Sequence, residues 1–294
     1  MKSLEKISTR LRAYAKLNIG LFIKGKRSDN FHEIETLLIP IKLCDKITIR
    51  KTLKDVKIRC SAPYVPVDDT NLTYCAFQKL KEKYSDKIKG GVEIIIEKNI
   101  PVGAGLGGGS SDAAAVLLGV RRLWDLNISD KILKRLASEI GSDTPFFIDC
   151  QPSIASGRGE KLKKIEFNIN KWILLIYPNI KVSTSWAYEN FNFILTNCAK
   201  NINFRKLIKK NIFKFKNVIL NNLELTVFSK YPILEKIKED LYKYGADFAL
   251  MSGSGSCIYG LFKDKNKVIE VGEKFRRYGN ICITRQVLTP QMFY

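Results

Sequence analysis

The sequence has a single histidine, His32, and no pair of cysteines in a C-x-x-C spacing. Structural zinc sites are built from closely spaced cysteines and histidines, so this class of site is excluded. The seven cysteines are odd in number and scattered along 294 residues. That pattern favours reduced thiols and a cytoplasmic location.

Long hydrophobic runs are also missing. A membrane-spanning helix needs about 18 to 20 consecutive apolar residues; no run approaches that length, and Trp172 to Tyr177 is far too short. The residues before Ala15 lack the apolar core of a secretory signal. We therefore expect no membrane segment and no signal peptide.

Acidic side chains are scarce relative to basic ones: 29 Asp and Glu stand against 50 Lys and Arg, a net charge of +21. Such a charge raises nucleic-acid binding as an alternative function. The basic residues are dispersed, however, and no aromatic-basic or zinc-finger signature accompanies them. We expect no specific nucleic-acid partner, because a basic surface equally attracts polyanionic small molecules.

Glycine, in contrast, is concentrated at one point. Five glycines occur between Gly103 and Gly109, and the run Ser110 to Ala115 that follows favours a helix. Glycines allow the backbone to approach an anion closely, and a helix start offers unpaired N–H groups. The segment from Pro101 to Ala115 therefore predicts a phosphate-binding loop.

Three common nucleotide motifs do not fit this segment. A P-loop ends in Gly-Lys-Ser or Gly-Lys-Thr, but no lysine lies between Lys98 and Lys131. Gly103-x-Gly105-x-x-Gly108 matches the dinucleotide fingerprint, yet Pro101 interrupts the preceding strand. A protein kinase needs His-Arg-Asp, and the only histidine precedes a glutamate.

The run from Gly105 to Ser111 resembles the ATP loop of the family of galactokinase, homoserine kinase, mevalonate kinase and phosphomevalonate kinase, the GHMP kinases. This resemblance implies ATP as cofactor, with Mg²⁺ on its phosphates and no protein residue assigned as a metal ligand. The residues that it implies for ATP binding are Lys98, Pro101, Gly103, Ala104, Gly105, Leu106, Gly107, Gly108, Gly109, Ser110 and Ser111.

Two further segments resemble the catalytic parts of these kinases. Alternation in the first predicted strand puts Lys16 and Asn18 on one face, and the sequence Ala-Lys-Leu-Asn is similar to the family's opening strand. Ser142 to Phe147 is similar to its catalytic aspartate motif. The resemblance implies Asp143 as the general base and Lys16 as its partner cation. Without it, Asp143 reads as a helix cap and Lys16 as a surface charge.

Segments in both halves of the chain resemble the substrate site of the branch that phosphorylates a cytidine diphosphate alcohol. The implied substrate is cytidine diphosphate methylerythritol, phosphorylated at its C2 hydroxyl. A glycine-rich turn from Ala155 to Glu160 also matches the family, and we expect it to be structural. The implied substrate-binding residues are Asn18, Phe31, His32, Thr184, Tyr188, Gly253, Ser254 and Gly255.

Other functions stay open at this stage. A mevalonate- or homoserine-type kinase would share the loop but have no use for Phe31 and His32. A non-catalytic member of the family would bind ATP without transferring phosphate, and a nucleic-acid-binding protein would bind without turnover. The sequence leaves the oligomeric state undetermined.

Composition and element order predict an α+β fold with two domains. Strands dominate the first hundred residues, helices follow up to Ile140, and the C-terminal part alternates strands and helices. The resemblance implies a ribosomal-S5-like nucleotide domain and a ferredoxin-like domain with the active site between them. We expect the nucleotide domain at 1–152 and the substrate domain at 153–294, with the tail near 282–294 packing back on the first.

Overall fold

A computed structural model describes residues 7–192, 204–210, 212–215 and 217–294. The N-terminal domain is built on a mixed sheet in which a long antiparallel hairpin, β1 and β2, supplies the central strands. The strands pair in the order β3-β4-β2-β5-β6, with β1 also paired to β2. Their bounds are β1 Ser8–Lys26, β2 His32–Thr52, β3 Val56–Cys60, β4 Gly91–Glu97, β5 Ser153–Gly157 and β6 Lys161–Lys164.

Four helices complete this domain: α1 Leu72–Lys83, α2 Gly108–Leu123, α3 Asp130–Ile140 and α4 Thr144–Asp149. Helix α2 is buried along most of its length and packs against isoleucines of β2 such as Ile47 and Ile49. An alanine-rich helix can approach a sheet closely because its side chains are short. This close packing brings the glycine-rich N-terminus of α2 next to the central strands.

The C-terminal domain carries a second sheet of four antiparallel strands in the order β10-β7-β9-β8. Numbered within the domain, these strands run 4-1-3-2 in a β-α-β-β-α-β chain order, the arrangement of a ferredoxin-like domain. The elements are β7 Trp172–Tyr177, α5 Thr184–Glu189, α6 Phe204–Lys209, α7 Leu223–Lys230, α8 Pro232–Lys243, β8 Phe248–Met251, β9 Ile258–Phe262, α9 Lys265–Phe275 and β10 Asn280–Thr284.

The hairpin of the first domain packs on one face of the second sheet. Leu17 and Ile19 of β1 share an apolar cluster with Ile173 of β7 and Tyr259 of β9. Helices α7, α8 and α9 pack against the other face of that sheet. Strand β1 therefore lies between the two domains, which explains why it is buried on both faces from Ala13 to Ile23, although the alternation predicted a half-buried strand.

A bulge in β1 changes which residues share a face. The pairing register with β2 shifts between Ile19 and Leu21, where Gly20 has a positive φ of 80°. Because one extra residue reverses the alternation, Phe22 joins the cluster of Leu17, while Leu21 joins the C-terminal domain's helices. The face shared by Lys16 and Asn18 lies before the bulge and is as the alternation predicts.

The strands of the two sheets place the boundary between the domains later in the chain than the expected 152/153. Strands β5 and β6 pair with β2 and with each other, so residues 153–164 belong to the first sheet, and the second sheet begins at Trp172. The tail returns to the first domain: the N–H groups of Arg12 and Lys42 donate to the carbonyls of Met292 and Arg285.

Helix α1 is not among the elements expected from the sequence, because it lacks a strong apolar period. No described helix is long and apolar enough to cross a membrane.

Candidate active site

A cleft of about 890 Å³ runs between the two domains. The glycine-rich loop and the Asp143 segment form its floor on the N-terminal side. The turn after β8 and helix α5 border it from the C-terminal side. Nearly all the residues that the resemblance singled out line this one cleft, although they come from six separate segments of the chain.

The loop ends directly in the N-terminus of α2. Helix α2 begins at Gly108, two residues before the expected start at Ser110, and its N-cap residue Gly107 has a left-handed conformation. No side chain caps the helix, so the N–H groups of its first turn point towards the cleft without intrahelical partners. This N-terminus is suited to bind phosphate oxygens.

A second glycine turn supports the loop from behind. The Ser252 hydroxyl donates to the carbonyl of Gly105 at 2.9 Å, and a Cβ on Gly105 would lie 1.9 Å from the Ser252 carbonyl oxygen. Gly105 also has a φ of 72°. Only glycine fits there, and the close contact joins the phosphate loop to the C-terminal domain.

Lys16, Asn18 and Asp143 come together in the cleft. The buried Lys16 ammonium donates to Asn18 Oδ1 at 2.6 Å and lies 3.4 Å from Asp143 Oδ2. Asn18 in turn donates to Thr36 Oγ1 at 2.9 Å. The Asp143 carboxylate is 37% exposed and makes no capping hydrogen bond to α4. Asp143 therefore occupies the N-cap position of α4 without capping it through its side chain, and Lys16 is buried and not a solvated surface charge.

The aromatic residues form a pocket at one end of the cleft. The rings of His32 and Tyr188 stack at 5.3 Å, and Phe31 is 48% exposed. Burial and the charge of Lys26 lower the pKa of His32, so the imidazole is neutral at pH 7. The guanidinium of Arg158 lies 4.7 Å from the Phe31 ring centroid. Arg158 belongs to the turn that we expected to be structural.

Thr184, at the start of α5, reaches the turn after β8. Its Oγ1 lies 2.8 Å from Ser254 Oγ. Gly253 lines the cleft too, and a Cβ on it would lie 3.2 Å from the Lys16 ammonium nitrogen. These contacts bring the predicted diphosphate-binding turn beside Lys16 and Asp143.

Two predicted ligand-binding residues do not line the cleft. Ser111 is fully buried, and its N–H already makes the first i→i−4 hydrogen bond of α2, to the carbonyl of Gly107. Gly255 packs against Met251 and Val227 behind the turn. Both assignments came from the family resemblance of the motifs that contain them, and neither residue lines the cleft.

Lys98 lines the cleft, but its ammonium is not free for ATP. It lies 2.5 Å from Asp45 Oδ2 and 2.7 Å from Asp112 Oδ2. Burial and the neighbouring Asp45 charge raise the pKa of Asp112 to about 8, since two buried carboxyls sharing one cation favour keeping a proton. The pKa of Lys98 is raised by the two carboxyls. The expected role of Lys98 as a simple nucleotide ligand therefore needs revision.

Comparison with known proteins agrees with this geometry. Residues 71–151 match the profile of the GHMP kinases N terminal domain, and residues 198–281 match that of the GHMP kinases C terminal domain. The chain belongs to the GHMP kinase family, and it is a small-molecule kinase. A mevalonate kinase structure from Methanococcus jannaschii shares this fold, with a TM-score of 0.70 at 16% identity over 98% of this chain and 100% of that one.

More similar proteins carry one particular name. The 4-diphosphocytidyl-2-C-methyl-D-erythritol kinase of Syntrophomonas wolfei is 38% identical over 93% of this chain and 96% of its own length. The protein of that name from Acetivibrio thermocellus is 36% identical over 96% and 99%. A crystal structure of 4-(cytidine 5'-diphospho)-2C-methyl-D-erythritol kinase superposes with a TM-score of 0.81 at 30% identity, covering 94% and 98%.

The raised pKa of Asp112 predicts a pH-dependent stability. The folded protein holds a proton on Asp112 that the unfolded chain releases above pH 4, so the free energy of unfolding should fall as pH rises from 5 towards 8. One such proton contributes at most about 1.4 kcal/mol per pH unit. Asp112→Asn should flatten this slope in urea unfolding measured between pH 5 and 8. Parallel curves for the two proteins would contradict the assignment.

Proposed function

We propose that this protein transfers the γ-phosphate of ATP to the C2 hydroxyl of 4-diphosphocytidyl-2-C-methyl-D-erythritol, giving the 2-phosphate and ADP. The reaction is a step in non-mevalonate isoprenoid precursor biosynthesis in the cytoplasm. Full-length similarity to kinases of that name supports the substrate. The observation that carries the chemistry is the contact between Lys16 and Asp143 beside the glycine-rich loop.

ATP binds with its phosphates on the loop from Gly103 to Ser110. The backbone N–H groups at the start of α2 and the positive end of the helix dipole stabilise the phosphate charges. Lys98 contributes by holding this loop and the first turn of α2 together through Asp112.

The cleft fits Mg²⁺ bound mainly by the nucleotide. Mg²⁺ in kinases keeps several waters and takes one or two protein oxygens besides the phosphates. The Ser110 hydroxyl lines the cleft at the first turn of α2 and is an oxygen of the required kind. When bound, the ion neutralises phosphate charge during transfer.

Phosphoryl transfer needs chiefly positioning and charge stabilisation from the protein. Asp143 accepts the proton of the C2 hydroxyl as the oxygen attacks the γ-phosphorus. Lys16 favours the ionised form of Asp143 by its nearby positive charge, and it stabilises the negative charge on the transferred group. Asn18 accepts a hydrogen bond from Lys16 and so fixes the direction of its ammonium.

The cytidine end of the substrate binds in the aromatic pocket. Phe31 has the most exposed ring there and supplies a face for the base to stack on. His32 and Tyr188, stacked on each other, form the edge of this pocket, and the imidazole of His32 hydrogen-bonds to the edge of the base. Thr184, Gly253 and Ser254 lie between the pocket and Lys16, at a suitable position for the diphosphate. Arg158, beside Phe31, adds positive charge at the same end.

An ADP-release assay tests the substrate directly. The purified protein should release ADP in the presence of Mg²⁺ and 4-diphosphocytidyl-2-C-methyl-D-erythritol, and not with mevalonate or homoserine, because only the cytidine compound uses the aromatic pocket. Turnover of mevalonate or homoserine in its place would contradict the proposal. ATP binding without turnover of any of the three would point to a non-catalytic family member.

Asp143→Asn should lower kcat by roughly 10²- to 10⁴-fold, because the amide cannot accept the hydroxyl proton. The affinity for ATP should change little, since the loop and α2 are untouched. Steady-state kinetics and a direct ATP-binding titration measure the two effects separately. Near-normal turnover would remove Asp143 from the role of base.

Phe31→Ala should weaken substrate binding by about 1 to 3 kcal/mol, the range found for loss of a stacked aromatic ring. Phe31→Tyr keeps the ring and should bind normally, while Phe31→Leu keeps an apolar side chain and should be weakened nearly as much as alanine. Calorimetric titration with the cytidine substrate compares the three variants. Equal affinity of Phe31→Leu and Phe31→Tyr would show that stacking is not the interaction.

A further inference from the structure

Asp45 is a fully buried carboxylate outside the cleft that contacts the start of the phosphate loop through three consecutive residues. Its Oδ1 accepts the backbone N–H groups of Asn99, at 2.5 Å, and Ile100, at 2.8 Å. Its Oδ2 lies 2.5 Å from the Lys98 ammonium. Asp45 thus fixes both the backbone and the side chain at the entry to the loop.

The same cluster reaches the other end of the loop. Lys98 also pairs with Asp112, which lies in the first turns of α2 just beyond the glycines. Lys98 therefore connects the residue before the loop with the helix after it, and the glycines lie between these two ends. Because Asp45 belongs to β2, a central strand of the first sheet, both ends of the loop are connected to that strand.

We propose that Asp45 is a positioning residue for phosphoryl transfer, which sets the position of the phosphate loop without contacting ATP. This inference depends on the proposed function only in that the loop binds ATP. It concerns the loop and not the identity of the alcohol.

The buried charges around Asp45 fit a role in positioning the phosphate loop better than a role in stabilising the fold. Buried ion pairs often add little net stability compared with apolar residues of similar size, because desolvation offsets their attraction. Apolar side chains at these positions could not accept the N–H groups of residues 99 and 100, nor fix their direction. The glycine-rich segment has little conformational preference of its own, so its position depends on how its ends are held.

Asp45→Asn tests the proposal because it keeps the size of the side chain and removes its charge. The ammonium of Lys98 then has Asp112 as its one carboxylate partner among the described residues. Since losing a charge-assisted hydrogen bond that holds the loop can cost about tenfold or more in affinity, we expect an increase of about tenfold or more in the Kd for ATP, measured by direct titration. The Kd for the cytidine substrate should stay within about twofold. Amide hydrogen exchange at residues 102–109 should become faster.

Asp240→Asn is the matched control. Asp240 is a buried carboxylate of the C-terminal domain, and it pairs with Arg277 and Tyr278 far from the loop. This control should lower stability and leave the Kd for ATP unchanged. If Asp45→Asn also lowers only the melting temperature, with normal ATP affinity and normal exchange in the loop, the proposal is wrong.

Asp45→Glu covers the case in which the asparagine variant does not fold. It keeps the charge but moves the carboxylate by one methylene, so it should weaken ATP binding while retaining the fold. Normal ATP affinity in a folded Asp45→Glu protein would likewise overturn the proposal. Neither the ATP titration nor the hydrogen exchange of the loop needs the alcohol substrate, so both remain decisive even if the alcohol substrate is a different one.

Discussion

The arrangement of the cleft depends on one buried ammonium group, that of Lys16. Lys16 lies on the strand that both domains share, and removing its charge from water is costly unless partners compensate. Asn18 and Asp143 are those partners. One comes from the same strand and the other from the segment before α4, so satisfying this charge also brings the carboxylate that we propose as the base to the phosphate loop.

The packing of the domains makes that arrangement rigid. The β1–β2 hairpin is covered by the second sheet on one side and leads to the cleft on the other. The glycine turns of the two domains touch directly, with the Ser252 hydroxyl donating to the carbonyl of Gly105. ATP and the alcohol substrate therefore meet at a junction where neither domain alone supplies a complete site.

Most of the residues that line the cleft lie in short motifs, because the chemistry of those motifs is local. The glycine-rich loop, the shared face of Lys16 and Asn18, and the alternating C-terminal elements each depend on residues that are close together in the sequence. What the sequence could not predict depends on long-range pairing. The Lys98 cluster requires Asp45, more than fifty residues away, and Arg158 gains its place in the cleft because β5 joins the first sheet. The bulge at Gly20 likewise follows from packing between the domains.

The most direct measurement is a crystal structure of the protein with a non-hydrolysable ATP analogue and 4-diphosphocytidyl-2-C-methyl-D-erythritol. The account predicts that the C2 hydroxyl lies within hydrogen-bond distance of Asp143, about 2.6 to 3.2 Å, with the Lys16 ammonium against the γ-phosphate. A complex in which the hydroxyl points away from Asp143, with another side chain beside the γ-phosphate, would contradict it.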